Sequence, residues 1–382
     1  MRIVYAASKY DYANPARGYS YEHYNFYESL LNLGHDILYF DLGTLLHERG
    51  RSGMNRRLLE VVESERPQLM FTVLTRNELD PAIVGRISAD TSTMTVNWFC
   101  DDHWRFETFS RYWAPRFNCV VTTAESALSK YRAIGCQNVI KSQWACNHVR
   151  YRPLEVAPQY DVTFVGLPHG DRRFIIDSLR RAGIDVQVWG RGWNRGRISQ
   201  DDMIRVFNQS RINLNLSNAS PPKSLASRVV DAVTRSLENS PVPSRARELL
   251  LHRLALVRHV LAGRDDTSTH YPDQIKGRNF EVPGCRGFLL TGLADNLEHY
   301  YLPGREVACF AGIDELVRQI RYYLGHADER DAVARAGYAR TMREHTYAHR
   351  FTMMFRRLGL PSAPLSEVLS GPVSGGSVED VQ

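Results

Sequence analysis

The chain has little that would tie it to a membrane, a metal or an oxidising compartment. Apolar runs such as Leu249–Leu251 and Gly287–Leu290 are short, far below the ~20 residues an apolar spanning helix needs. The opening MRIVYAASKYDY reads as a strand and a polar loop, not as a signal peptide. Six cysteines (Cys100, Cys119, Cys136, Cys146, Cys285, Cys309) are scattered without a Cys-x-x-Cys pair. Neither a zinc site nor a disulfide framework is therefore expected, and the thiols read as reduced and mostly buried in a cytoplasm.

What is present is an ordinary globular composition, 43% hydrophobic and 24% charged over 382 residues. At roughly 150 residues per domain that length suggests two domains. The formal net charge is +6 and the pI near 9.0, compatible with phosphate ligands, an anionic membrane face or nucleic acid.

Short apolar stretches alternate with helical patterns. Strands are expected at Arg2–Ala6, Asp36–Phe40, Leu69–Leu74, Met94–Phe99 and Cys119–Thr122, with helices at 21–33 and 54–65. The pattern restarts after Pro153: strands at 161–166, 185–190 and 211–217, the run GFLLTG, and a long helical region from Ile313 to Leu358. This predicts an α/β chain of two Rossmann-like, doubly wound domains facing across a cleft, at 1–153 and 154–350. Residues 218–272 do not alternate, and the leucine-rich stretch 242–262 reads as a helical insertion; the Ser/Gly/Pro-rich tail 361–382 reads as disordered.

In open α/β sheets ligands bind beyond the carboxyl ends of the strands, so the residues that follow strands carry the chemistry. VGLPHGDRR (Val165–Arg173) offers Gly166 and Gly170 for close backbone approach, His169, the charges of Arg172 and Arg173, and a helix N-terminus near Asp171, together a diphosphate cradle. WGRGWNRGRIS presents Trp189, Gly190 and Trp193, an aromatic face for a nucleotide base. In RNFEVPGCRGFLLTG, Glu281 is expected in a loop turning toward a strand, where its two oxygens suit a ribose diol; Arg278 and Lys276 suit phosphate oxygens, and Gly284 and Gly287 a tight turn whose amides face the ligand. In the first half, NWFCDDHWRF places Asp102, His103 and Asp101 after a strand, a trio fit for general-base work, in that order, or for a divalent cation. The tyrosine-rich loop SKYDYANPARGYSYEHY suits a sugar.

From Lys276 to Arg350 the motifs R-x-F-E, a Gly-x-L-L-T turn, P-G-x-E, YYL-x-H and E-H-T-Y-x-H-R resemble the C-terminal domain of GT-B glycosyltransferases, and among them the bacterial spore-maturation-protein-like branch; DVTFVG, WGRGW and WFCDDHWRF fit as well. The resemblance implies a nucleoside-diphosphate sugar donor on the C-terminal domain and an acceptor on the N-terminal one. Glu281 would bind the donor ribose, Arg278 and the 166–173 turn the diphosphate, and Trp189 to Trp193 would lie near the base. Many related retaining enzymes carry two glutamates separated by seven residues; here Asp273 stands at the first position. Catalysis without metal or cofactor is implied, with positive groups stabilising the departing diphosphate. A nucleic-acid-directed glycosyltransferase or non-catalytic nucleic-acid-binding module and a nucleotide-sugar epimerase of similar architecture are the alternatives.

Overall fold

A computed structural model of the chain describes residues 1–217, 233, 250, 273–362, 364–370 and 378–380. The expected insertion at 218–272 falls almost wholly outside the described residues.

Two parallel sheets form the frame. The first joins β1 (Arg2–Ala7), β2 (Asp36–Asp41), β3 (Leu69–Thr72), β4 (Met94–Phe99), β5 (Cys119–Thr122) and β6 (Val139–Lys141) in the order β2-β1-β3-β4-β5-β6. The second joins β7 (Tyr160–Val165), β8 (Val186–Trp189), β9 (Ser210–Asn215), β10 (Leu289–Gly292) and β11 (Ala308–Phe310) in the order β11-β10-β9-β7-β8. Every pairing is parallel, for example Val162 opposite Val186 and Ile212. Strands such as LMFT and CVVT are buried at every position, as sheets covered on both faces require. Each order reverses once, between β1 and β3 and between β7 and β9, and those switch points open a crevice at the strand ends.

Local chemistry sets the helix starts. Asp41 caps the helix Leu42–Glu65 by accepting from Gly43 N, and Asp80 caps Pro81–Asp90 by accepting from Ala82 N. Ser199 and Thr346 do the same for Gln200–Gln209 and Tyr347–Arg357. The long helical region after Ile313 is three helices, Ile313–Gly325, Ala327–Glu344 and Tyr347–Arg357.

The last of these does not stay with the second lobe. Tyr347, Phe351 and Phe355 are buried in the first lobe's core with Tyr5, Phe26, Phe71 and Trp98. Phe351 meets Phe71 and Trp98 edge-on at 5.6 and 6.4 Å. At roughly 2–3 kcal/mol per buried aromatic ring, this face fastens the chain's return to its first lobe. The tail also differs from expectation: Leu365–Ser370 is helical, and β12 (Val378–Asp380) adds a parallel edge strand to β2.

Candidate active site

The turn after β7 and the loop after β8 are built as one unit. Gly166 N donates to Trp189 O at 2.9 Å, and Trp193 Nε1 donates to Gly166 O at 2.8 Å. A Cβ on Gly190, at φ 135°, would stand 2.2 Å from Gly166 O, so only glycine allows this approach. Arg172 is buried; its guanidinium donates to Leu167 O at 3.1 Å and Leu216 O at 2.7 Å, tying the turn to the end of β9. Burial lowers its pKa to about 10. Arg173 donates to Gly192 O and lies 5.0 Å over the Trp193 ring. His169 accepts from Arg172 N through its carbonyl, and Gly170, at φ 61°, completes the turn.

The two tryptophans are not free platforms. Trp189 and Trp193 are buried; Trp193 packs edge-on to Phe164, and Trp189 packs on Tyr160 with Arg195 across its ring. A base stacked on either ring would have to displace core contacts, which corrects the expectation that they present an aromatic face.

Glu281 lies on the short helix Arg278–Gly284, not in a loop. It is 0% exposed. One oxygen accepts from Tyr151 OH at 2.8 Å and the other pairs with Arg278, while Gln200 donates to Tyr151 OH. Both carboxylate oxygens are occupied from within the protein, so the group that reaches toward solvent is Arg278, with a side chain 25% exposed. Gly284 and Gly287 face elsewhere. A Cβ on Gly284 would strike Cys146 Sγ, and one on Gly287 would meet Asn213 and Phe207 O. Gly287 precedes β10 and so lies at the sheet edge opposite the ligand-binding one.

Lys276 stands just ahead of the helix Arg278–Gly284. Its backbone N donates to Asn279 Oδ1 at 2.9 Å, and Asn279 is held in turn by Asn215 and Thr291. Among the described residues its ammonium donates to Gln274 Oε1. Burial lowers its pKa to about 8, with Asp101 opposing and Arg172 assisting the shift. Asp101 follows β4 of the first lobe, so the end of that strand and Lys276 lie near each other.

Asp101, Asp102 and His103 diverge. Asp102 is 1% exposed and turned inward, accepting from Thr122 Oγ1 at 2.6 Å and Tyr131 OH at 2.7 Å. Burial raises its pKa. It holds the helix Asp102–Arg105 to β5 and cannot meet a substrate, which corrects its ranking as first base. The trio also forms no cation cage: among the described residues, no three His, Cys, Asp or Glu side chains gather as metal ligands. Asp101 is half-buried, its pKa raised by burial and drawn back by Lys276 and Arg105. His103 is 9% exposed, and its Nδ1 is buried without a hydrogen-bond partner among the described residues. Burial first, then Lys276 and Lys141, lowers its pKa to about 4.

Sequence reasoning missed Lys141, Tyr151, Gln200, Asn279 and Tyr300. Lys141 ends the three-residue β6, and its Nζ donates to Tyr300 OH of the second lobe at 3.1 Å. Only Asn279 carried a signal, as the variable position of R-x-F-E.

The profile of the family described as Glycosyl transferase-like matches residues 172–235 and 245–356. The fold resembles sucrose-phosphate synthase from Thermosynechococcus elongatus at TM-score 0.58 and 9% identity, over 94% of this chain and 99% of that one. It also resembles Anabaena Alr3699/HepE in complex with UDP-glucose (0.57, 11%, 94% and 99%) and a glycosyltransferase from Rickettsia africae (0.55, 8%, 97% and 99%). No curated protein sequence matches the chain. The family match lies in the second lobe and covers a little under half of the chain; with the shared two-lobed GT-B fold it makes the chain glycosyltransferase-like. Match and fold favour neither a nucleic-acid-binding module nor an epimerase. Among the described residues no helix is long and apolar enough to cross a membrane.

Proposed function

We propose that the second lobe holds a nucleoside-diphosphate sugar, of the UDP type found in the Anabaena structure, and that the first lobe presents the acceptor. The observation that carries this reading is Lys276: a half-buried ammonium at the cleft with no carboxylate in ion-pair reach among the described residues. It stands beside the pinned turn 166–173, which offers Arg172, Arg173 and a helix N-terminus. Such a set is ready for a diphosphate. As the sugar's bond to the diphosphate breaks, negative charge grows on the leaving group, and fixed cations stabilise that state more than the ground state, without need of a metal. Glu281 and Tyr151 fix Arg278, which meets the nucleoside end. His103 takes the acceptor's proton on the edge of the ring that is not buried, its imidazole being neutral at physiological pH. The R-x-F-E and E-H-T-Y-x-H-R motifs support the spore-maturation-protein-like branch, and unpaired cysteines suit a cytoplasmic enzyme.

Calorimetry with UDP tests the donor site. Lys276→Met should weaken UDP binding about tenfold or more, as loss of a charge-assisted contact does. Unchanged affinity in this variant would reject the assignment.

A further inference from the structure

Lys276 has an anion to meet in the donor diphosphate; Lys141 has none. It projects from the end of β6 on the acceptor lobe, half-buried, and its Nζ finds only neutral acceptors, Ser142 O at 3.0 Å and Tyr300 OH at 3.1 Å. The Tyr300 ring lies 5.7 Å from the same Nζ. Among the described residues no carboxylate is within ion-pair reach. Tyr300 follows the turn Leu297–His299 of the donor lobe, so Lys141 is held at that lobe's edge rather than deep in its own.

Arg172 lies near enough to Lys276, and Lys276 and Lys141 near enough to His103, for each to act on its neighbour's charge. A diphosphate at the first two places its sugar toward His103 and Lys141. A half-buried cation held only by neutral groups is electrostatically incomplete, and covering it with a neutral ligand would deepen the deficit.

Resting on the donor-site reading above, we infer that Lys141, with Tyr300 OH and His103, forms a carboxylate-recognition subsite for the transferred sugar, and that the donor is a nucleotide-activated uronic acid. A hexose with a hydroxymethyl group would leave Lys141 without a counter-charge. A uronate supplies two acceptor oxygens, one for the ammonium and one for the tyrosine hydroxyl or the imidazole. Sites that answer a polar group with a buried polar partner discriminate strongly against analogues lacking it.

Calorimetric titration of the full-length protein with UDP, UDP-glucose and UDP-glucuronic acid decides the matter. The wild type should bind the uronate at least about tenfold more tightly than the glucose donor. Lys141→Met should bring the two within about twofold while UDP affinity stays unchanged, which also shows that the variant is folded, and Lys141→Arg should keep most of the preference. UDP binding with no preference for the uronate overturns the subsite and leaves the donor site standing, as does a preference that survives in Lys141→Met. Failure of the wild type to bind UDP overturns both.

Discussion

The two faces of the cleft are built on opposite principles. On the face proposed for the donor nearly every polar side chain named above has a fixed seat. Arg172 is held by two carbonyls, Arg173 by Gly192 O and Trp193, Glu281 by Tyr151 and Arg278, and Lys276 is positioned by the Asn279–Asn215–Thr291 network. On the face proposed for the acceptor, Asp102 takes the hydrogen bonds that fix the loop, and its neighbour His103 has a ring nitrogen without a partner among the described residues. The contrast suits the two jobs. A leaving group is stabilised by charges that need not reorganise, whereas a base needs an uncommitted site.

The largest effect that would break this contrast is on turnover. His103→Gln should lower kcat by about 10²–10⁴ with little change in stability, since the ring nitrogen makes no bond to lose. The pH profile sharpens the point. The base must be unprotonated, so kcat/KM should hold through pH 6.5 and fall only as pH drops through about 4. Lys276 must be protonated, so activity should fall again as pH rises through about 8. An acid limb near 6.5 would mean that the His103 ring is not buried beside the two lysines. Retained turnover in His103→Gln would remove it as base.

A smaller loss is expected from the donor face, and in stability. Arg172→Ala strands the buried Leu216 carbonyl beyond β9, while Leu167 O in the exposed turn after β7 can turn to water. At about 1–3 kcal/mol for a buried unsatisfied acceptor, urea denaturation should show a loss of that order. A variant as stable as the wild type would show that the turn does not depend on this guanidinium.

Most of the fold was legible because buried parallel strands are short apolar runs closed by turn residues, and Met94–Phe99 and Cys119–Thr122 fall where expected. VIK and ACF were too short to register, and with β6 went Lys141. The site was harder to read. Asp101 and Asp102 are identical in type and adjacent in sequence, but successive residues entering a helix point about 100° apart, so one lines the cleft and the other the core. Pro283-Gly284 reads as a loop, yet these residues end a helix whose first turn carries Glu281 inward. The tryptophans after β8 follow a strand, as ligand residues do, but their size fills the core left beside Gly166 and Gly190. In each case the sequence shows what chemistry is available, and packing decides which face it meets.

The smallest effect tests whether the two faces touch. Gly277, just ahead of the helix Arg278–Gly284, has helical backbone angles, φ −50° and ψ −37°. Alanine there would by backbone alone stabilise the fold by about 0.4–1 kcal/mol. Its Cβ, however, would stand 2.5 Å from the hydroxyl of Tyr21 on the acceptor lobe and 2.9 Å from its ring, and that hydroxyl shares a 2.9 Å hydrogen bond with Tyr347. Tyr21 cannot yield without giving up this bond, so Gly277→Ala should cost roughly 1–2 kcal/mol in the wild type. In a Tyr21→Ala background the clash is gone and the same substitution should become stabilising. Thermal denaturation of the four proteins gives the coupling directly, and a sign reversal is the expected signature of a tyrosine seated on the donor helix. Additivity within about 0.5 kcal/mol would place Tyr21 off that helix and leave its N-terminal end open to the acceptor lobe.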